Sequence, residues 1–350
     1  MIYVNGRFLK QNITGVQRFA IELLYSLSKI RGDIVILVPN KEKILKLHNL
    51  ENFKVIEVKG GDGIIWEQIT LPRYLHSVGN PLLLNLCNTS PVFYKNKIST
   101  VHDITFLKYP QSYSWKFRAV YRIMIPMILR TSHKIITVSE FSKIDICNYY
   151  NIPRDSINVI YNAVSDQFYD KKLNQSEKKG YALAVSSPNL HKNFGPMIEA
   201  FQKANINLDL KIIGSMSGTF KSHNYEIKTK NINFVGRVND EELINLYQYA
   251  EFFIFPSLYE GFGIPPLEAQ ACGCPVLSSN TASLPEVLGN SAHYFNPNSI
   301  DDMTNSIKEI YNNKDLKDHL IESGHINLKR FDWNISANKM NLIIQEVLGV

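Results

Sequence analysis

Phe252-Phe253-Ile254-Phe255-Pro256-Ser257-Leu258-Tyr259-Glu260-Gly261-Phe262-Gly263-Ile264-Pro265-Pro266-Leu267-Glu268 is the stretch that decides the fold class. Its first four residues form a continuous apolar run bounded by proline, the pattern of a strand buried on both faces. Pro265 presets the first turn of a helix. Between strand and helix, Gly261 and Gly263 let the backbone approach a ligand closely. A buried strand that passes through a glycine-containing loop into a helix is a unit of a parallel α/β sheet, and the free amides at such a helix start bind phosphate oxygens. Glu260 on the loop and Glu268 in the first helical turns then suit hydroxyls rather than phosphates. Taken alone, the stretch reads equally as an ordinary joint whose Glu268 complements the helix dipole.

Working outward, short apolar runs alternate with amphipathic helical patterns along the chain. The first half predicts strands at Ile2 to Asn5, Ile34 to Pro39, Leu82 to Leu86, Ser99 to Val101 and Lys134 to Val138, with helices beginning after Gly15, Ser112 and Ser139. The second half predicts strands at Tyr181 to Ser186, Leu208 to Ile213, Phe252 to Phe255 and Pro275 to Leu277, with helices starting near Asn193, Asp240, Pro265 and Ser299. That alternation implies an α/β fold of two doubly wound, Rossmann-like parallel sheets. A chain of 350 residues exceeds the roughly 250 to 300 at which one core stops growing, so two domains are expected, residues 1–164 and 165–332. The polar stretch from Asp170 to Gly180 reads as the linker. Two such domains facing each other leave a cleft at the carboxyl ends of their strands, where α/β proteins bind ligands.

Composition narrows the partners. Residues 1–164 carry 21 Lys and Arg against 11 Asp and Glu, whereas residues 165–350 carry 17 against 21. The basic half calls for an anionic partner, yet no nucleic-acid-binding pattern accompanies the charge, which leaves a membrane surface or a phosphate-bearing substrate and excludes nucleic acid. The stretch Tyr113 to Lys134 interleaves Trp115, Phe117, Tyr121, Met124 and Met127 with Lys116, Arg118, Arg122 and Arg130. It reads either as a helix lying in a membrane interface or as a core-packed helix kinked at Pro126 with its basic residues in solvent. No run is long enough to span a bilayer and MIYVNGRFLK reads as a strand, so the expected location is cytoplasmic. Cys87, Cys147, Cys272 and Cys274 are expected as core thiols. Asp240-Glu241-Glu242 and Asp301-Asp302 read as helix starts, and no stretch has metal-ligand spacing.

The run from Ser257 to Gly289, SLYEGFGIPPLEAQACGCPVLSSNTASLPEVLG, resembles the C-terminal signature of the retaining nucleotide-sugar glycosyltransferases of GT-B architecture. That large family includes sucrose synthases and many polysaccharide-assembly enzymes, and Glu260 and Glu268 match its pair of glutamates separated by seven residues. The resemblance covers nearly the whole chain. Thr14-Gly15-Val16-Gln17-Arg18 is similar to the family's glycine-rich opening loop, His102-Asp103 to its histidine after an N-domain strand, and His191-Lys192-Asn193 to its phosphate-binding lysine segment. Phe331-Asp332-Trp333 falls where members carry a C-terminal helix, so residues 333–350 are expected to cross back to the first domain.

The resemblance implies the site. Lys192 is expected to pair with the donor diphosphate, Glu260 to bind hydroxyls of the transferred sugar and Glu268 those of the ribose. Gly261 is expected in the donor site, the amides of Phe262, Gly263 and Ile264 to hold sugar and phosphate, Gly15 to let the opening loop approach the diphosphate, and His102 to lie near the anomeric carbon. It further implies a metal-independent hexosyl transfer without a protein nucleophile or cofactor, from a nucleoside-diphosphate sugar to a glycan or lipid-linked glycan. The sequence departs from the family at Ser186 and Ser187, where a glycine and an arginine are usual; hydroxyls such as that of Ser187, or His191, are what this chain offers instead. A nucleotide-sugar epimerase, a phosphorolytic enzyme and a non-catalytic nucleotide-binding module remain the alternatives on architecture alone.

Overall fold

The computed structural model describes residues 1–44, 53–169, 180–185, 189–214 and 231–350. The linker expected at Asp170 to Gly180 therefore lies, but for Gly180, outside the described residues, as do Ser186 and Ser187. The chain forms two compact units. One comprises Met1–Lys108, Tyr113–Asn162 and Asp332–Val350, and the other Tyr109–Ser112 and Ala163–Phe331.

The first unit is built on β1 (Ile2–Asn5), β2 (Ile34–Val38), β3 (Lys54–Glu57), β4 (Leu83–Asn85), β5 (Lys97–Thr100), β6 (Lys134–Thr137) and β7 (Ile157–Val159). These pair in the order β3-β2-β1-β4-β5-β6-β7, parallel throughout. The inner strands β1, β2, β4 and β5 are buried along their whole length; β2 reads as an unbroken apolar run, whereas β5 buries the polar side chains of Lys97, Ser99 and Thr100. Helix α1 (Gly15–Ser28) begins at a Thr14/Gln17 capping box and turns Phe19, Leu23, Leu24 and Leu27 inward. Next come α2 (Gly63–Ile65), a π-helical turn at Trp66–Thr70, α3 (Leu71–Ser77), α4 (Thr105–Lys108), α5 (Trp115–Thr131) and α6 (Glu140–Tyr150). The segment expected to kink at Pro126 is one helix, α5, that runs through the proline. The carbonyl that loses its donor there belongs to exposed Arg122, where water can replace the missing bond.

In the second unit β8 (Tyr181–Val185), β9 (Asp209–Ile213), β10 (Ile232–Gly236), β11 (Phe252–Phe255), β12 (Val276–Ser279) and β13 (His293–Phe295) pair in the order β10-β9-β8-β11-β12-β13, again all parallel. Its helices are α7 (Phe194–Ala204), α8 (Asp240–Tyr249), α9 (Ile264–Ala271), α10 (Leu284–Leu288), α11 (Ile300–Asn312) and α12 (Lys314–Leu328). The last helix, α13 (Trp333–Leu348), belongs to the first unit, where it packs on α1 through Trp333, Ala337, Met340 and Ile344.

Both sheets have the doubly wound order, in which direction reverses between two central strands. The reversal falls at β1/β4 in one unit and at β8/β11 in the other. Chains diverge to opposite faces there, and the crevice left outside the carboxyl ends is where such sheets bind ligands.

Candidate active site

At the second unit's reversal point the residues after β8 fold into a 3-10 turn, Leu190–Lys192. Both neighbours of Lys192 are buried and bonded. His191 lies with Nδ1 3.0 Å from Ser112 Oγ, and its carbonyl accepts from the Leu258 amide at 2.7 Å. Asn193 takes a left-handed conformation (φ 58°) and donates from Nδ2 to the Pro297 carbonyl at 2.8 Å. The turn thus hangs on the loop after β11. Across it, Lys192 Nζ donates to Glu260 Oε1 at 2.6 Å and lies 5.9 Å from the Phe255 ring centroid. Both side chains keep some solvent contact, at 20% and 13% exposure. The ammonium has three N–H donors and Glu260 two oxygens, so the pair holds each partner in place without exhausting either.

Glu260 and Gly261 through Ile264 form one loop that ends at α9. Ser283 Oγ lies 3.0 Å from the Glu260 carbonyl and 2.9 Å from that of Phe262, pinning the loop from α10's start. Gly263 caps α9 at φ +94°, and a Cβ there would sit 2.7 Å from Leu284 Cδ2. Only glycine meets both conditions. A helix start ordinarily presents four unbonded amides, but Pro265 and Pro266 have none, which leaves those of Gly263 and Ile264. The Phe262 side chain is buried edge-on against Phe331, so this residue offers the site its backbone alone. Glu268, 6% exposed, accepts from the Tyr247 hydroxyl at 3.3 Å. Burial and the adjacent carboxylate push the Tyr247 phenol well above its ordinary range, so it stays a donor.

The first unit holds Gly15 and His102. Gly15 is the exposed first residue of α1. His102 follows β5 and is buried: its Nε2 lies 3.0 Å from the Leu86 carbonyl, its amide donates to Asn88 Oδ1 at 2.8 Å, and its ring meets Phe19 edge-on at 4.9 Å. A carbonyl only accepts, so Nε2 carries the proton and Nδ1 is left as the acceptor. Burial lowers the imidazole's proton affinity, which favours this neutral form.

Sequence patterns did not point to a buried network at the β1/β4 reversal. Glu67 is 1% exposed, and its Oε1 accepts from Asn5 Nδ2 at 2.8 Å and Thr89 Oγ at 3.0 Å and faces Arg7 Nε at 3.2 Å. Asn5 also donates to Asn85 Oδ1 at 3.1 Å, which joins the ends of β1 and β4. The π-helical turn that carries Glu67 is the one signal of special purpose, and spacing rules do not foresee it.

Among the described residues no group of three His, Cys, Asp or Glu side chains could hold a metal ion, and no helix is long and apolar enough to cross a membrane. Cys147, Cys272 and Cys274 are buried thiols and Cys87 is half-buried.

Two parallel-sheet units, one with a lysine–carboxylate pair and a two-amide helix start at its reversal point, define the GT-B class of glycosyltransferases. Comparison with known proteins agrees. Residues 13–168 match Glycosyltransferase Family 4 and residues 165–326 match Glycosyl transferases group 1. The chain is 34% identical over 244 residues to the O-antigen chain mannosyltransferase RfbU of Salmonella typhimurium, covering 68% of this chain and 67% of that protein. It is 29% identical over 275 residues to O-antigen chain mannosyltransferase B of Escherichia coli, covering 72% of each. Its fold matches Anabaena Alr3699/HepE, solved in complex with UDP and glucose, with a TM-score of 0.74, 15% identity and 99% coverage of each chain. The chain belongs to this glycosyltransferase family, and that membership favours neither an epimerase or phosphorolytic enzyme nor a non-catalytic module.

Proposed function

We propose that the protein is a metal-independent, retaining hexosyltransferase that moves a sugar from a nucleoside-diphosphate sugar to a glycan or lipid-linked glycan in surface polysaccharide assembly. The Lys192–Glu260 pair carries the reading, because it sets a phosphate-binding cation and a hydroxyl-binding carboxylate side by side at a reversal point. The donor lies on the second unit: Lys192 and the amides of Gly263 and Ile264 meet the diphosphate, Glu260 the sugar and Glu268 the ribose. Gly261, Phe262 and Ser187 belong to the same donor site, and Gly15 and His102 are the first unit's contribution. As the bond from anomeric carbon to phosphate oxygen breaks, charge gathers on the leaving diphosphate, where a fixed ammonium and helix amides stabilise it without a metal or other cofactor. The departing oxygen takes the acceptor hydroxyl's proton and the new glycosidic bond forms on the same face. The relatives' names support mannose as the sugar and O-antigen-type glycan as the product.

The first unit binds the acceptor and touches an anionic membrane from the cytoplasmic side. Support comes from α5, whose outer stripe carries Trp115 and Ile123, 67% and 65% exposed, among exposed Lys116, Arg122 and Arg130, while Met124, Ile125 and Ile128 face the core.

The test is incubation with GDP- and UDP-linked hexoses and mono- to trisaccharide acceptors on a lipid-like aglycone, with and without EDTA, followed by NMR of the product's anomeric configuration. Transfer with retention and undiminished rate in EDTA is expected. An inverted product, epimerised donor without acceptor, or activity lost to EDTA and restored by magnesium or manganese would overturn the reading.

A further inference from the structure

The first unit's reversal point carries a group that the proposed reaction leaves unassigned. Arg7 stands just past β1. Its guanidinium is locked along one edge: Nε lies 3.2 Å from Glu67 Oε1, and Nη2 donates to Thr89 Oγ at 2.6 Å, while Thr89 in turn donates to Glu67. Nη1, with two N–H donors, has no partner among the described residues, and the side chain keeps 17% exposure. The held edge meets Glu67 and Thr89, and Arg7 itself follows the carboxyl end of β1 at the reversal point, outside which doubly wound sheets bind their ligands.

Holding it this way is costly. A carboxylate as buried as Glu67 must be compensated by donors, and this one collects Asn5, Thr89, Arg7 and, on Oε2, Gln68 Nε2 at 3.3 Å. Gln68 also clamps the loop after β4, donating to the Ser90 carbonyl at 2.9 Å and accepting from the Val92 amide at 2.8 Å. Both residues sit on the π-helical turn, a rare geometry that concentrates at functional sites. The same loop holds His102 through Leu86 and Asn88, so one scaffold positions Arg7 and His102 together.

Charge decides the ligand class. Glu67 cancels the Arg7 charge, and Asp103, which spends Oδ1 on the Thr105 amide and hydroxyl, leaves its second oxygen without a partner among the described residues. Asp103 directly follows His102, which the same loop holds. Two N–H donors whose positive charge Glu67 already cancels match neutral hydroxyls better than they match a phosphate.

We propose that Arg7, with Glu67 as its positioning residue, recognises a pair of neighbouring hydroxyls on the acceptor sugar. This deepens the acceptor half of the proposed function and rests on it. Arg7→Lys tests it, because lysine keeps the charge that compensates Glu67 but not the second edge of the fork. With the glycolipid acceptors above, the variant's acceptor KM should rise about 10- to 100-fold, the range of a hydrogen bond to a charged group, while the donor KM stays within about twofold and Tm is retained. A second measurement does not depend on turnover: the Arg7 side-chain N–H resonances of ¹⁵N-arginine-labelled protein, identified by their loss in Arg7→Lys, should shift on titration with methyl glycosides of mannose, galactose, glucose and rhamnose. Inorganic phosphate should leave them in place. An unchanged acceptor KM, a shift with phosphate alone, or no shift with any glycoside overturns the proposal. Absence of transfer by the wild type would instead overturn the proposed function, and the titration would still decide the binding role of Arg7.

Discussion

The two reversal points share a topology and differ in how they hold charge. At β8/β11 the Lys192–Glu260 pair is partly open to solvent and each partner has bonding capacity left over. At β1/β4 Glu67 is sealed in and its oxygens are met by four side chains. An open pair can exchange partners with a ligand at small cost, whereas a sealed one gives up several kcal/mol if a partner leaves. The same fold therefore supplies one crevice suited to a charge that changes during reaction and one suited to holding a fixed donor edge.

Stability measurements would break this contrast most directly. Glu67→Ala takes the buried acceptor away from Asn5, Thr89 and Arg7 and should lower the unfolding free energy by about 3 kcal/mol, whereas Glu260→Ala should cost about 1 kcal/mol or less. Denaturant titration of both variants checks the difference, and equal losses would erase it. Turnover should reverse the ranking of the second site. Lys192→Ala is expected to slow transfer by about 100-fold or more, as loss of an electrostatic stabiliser does, and a near-normal rate from folded protein would remove Lys192 from the chemistry.

Lys97 sharpens the comparison from another side, since it is buried with no counter-charge among the described residues. Its Nζ donates to the Tyr94 carbonyl at 2.7 Å, Thr131 Oγ at 2.8 Å and the Val92 carbonyl at 3.4 Å, and burial brings its pKa from 10.5 down to about 8. The folded-state value is the lower one, so between about pH 8 and 10.5 the unfolded chain binds the extra proton and stability rises with pH. Wild type should gain about 2 kcal/mol on Lys97→Met between pH 8 and pH 10, as read by parallel denaturant curves. A difference that stays flat with pH would mean that the buried amine titrates at its ordinary value. The smallest expected effect lies at Tyr247→Phe. Loss of one hydroxyl bond to Glu268 should raise the donor KM about fivefold with kcat unchanged, as initial-rate kinetics would show.

How much of this was legible depended on position in the sheet. The strands predicted from sequence all lie inside their sheets, with a strand on either side, and their positions are mostly buried. The four that went unread, β3, β7, β10 and β13, are the four sheet edges. Edges are covered incompletely, so β3 reads KVIE and β10 INFVG, with exposed or half-buried positions that break the pattern. The candidate site divided the same way. Glu260, Gly263 and Glu268 stand within nine residues, and their glycine and proline context is local. The Glu67 network joins residues 62 and 80 positions apart, and no window of sequence contains it.

Helix α13 belongs to the first unit yet follows the whole of the second in the chain. Its Trp333 packs edge-on against Phe19, which in turn packs against His102, and its Ser336 hydroxyl donates to the Tyr161 carbonyl. During synthesis the order of completion is thereby inverted. Residues 163–331 can close their own core as soon as they emerge, at a ribosomal pace of about 5–20 residues per second, while the earlier-made sheet waits with the α1 face uncovered until residues 332–348 arrive. The unit built first is finished last, and a chain stopped after Phe331 would carry a complete second unit beside a first one whose His102 lacks the far wall of its packing.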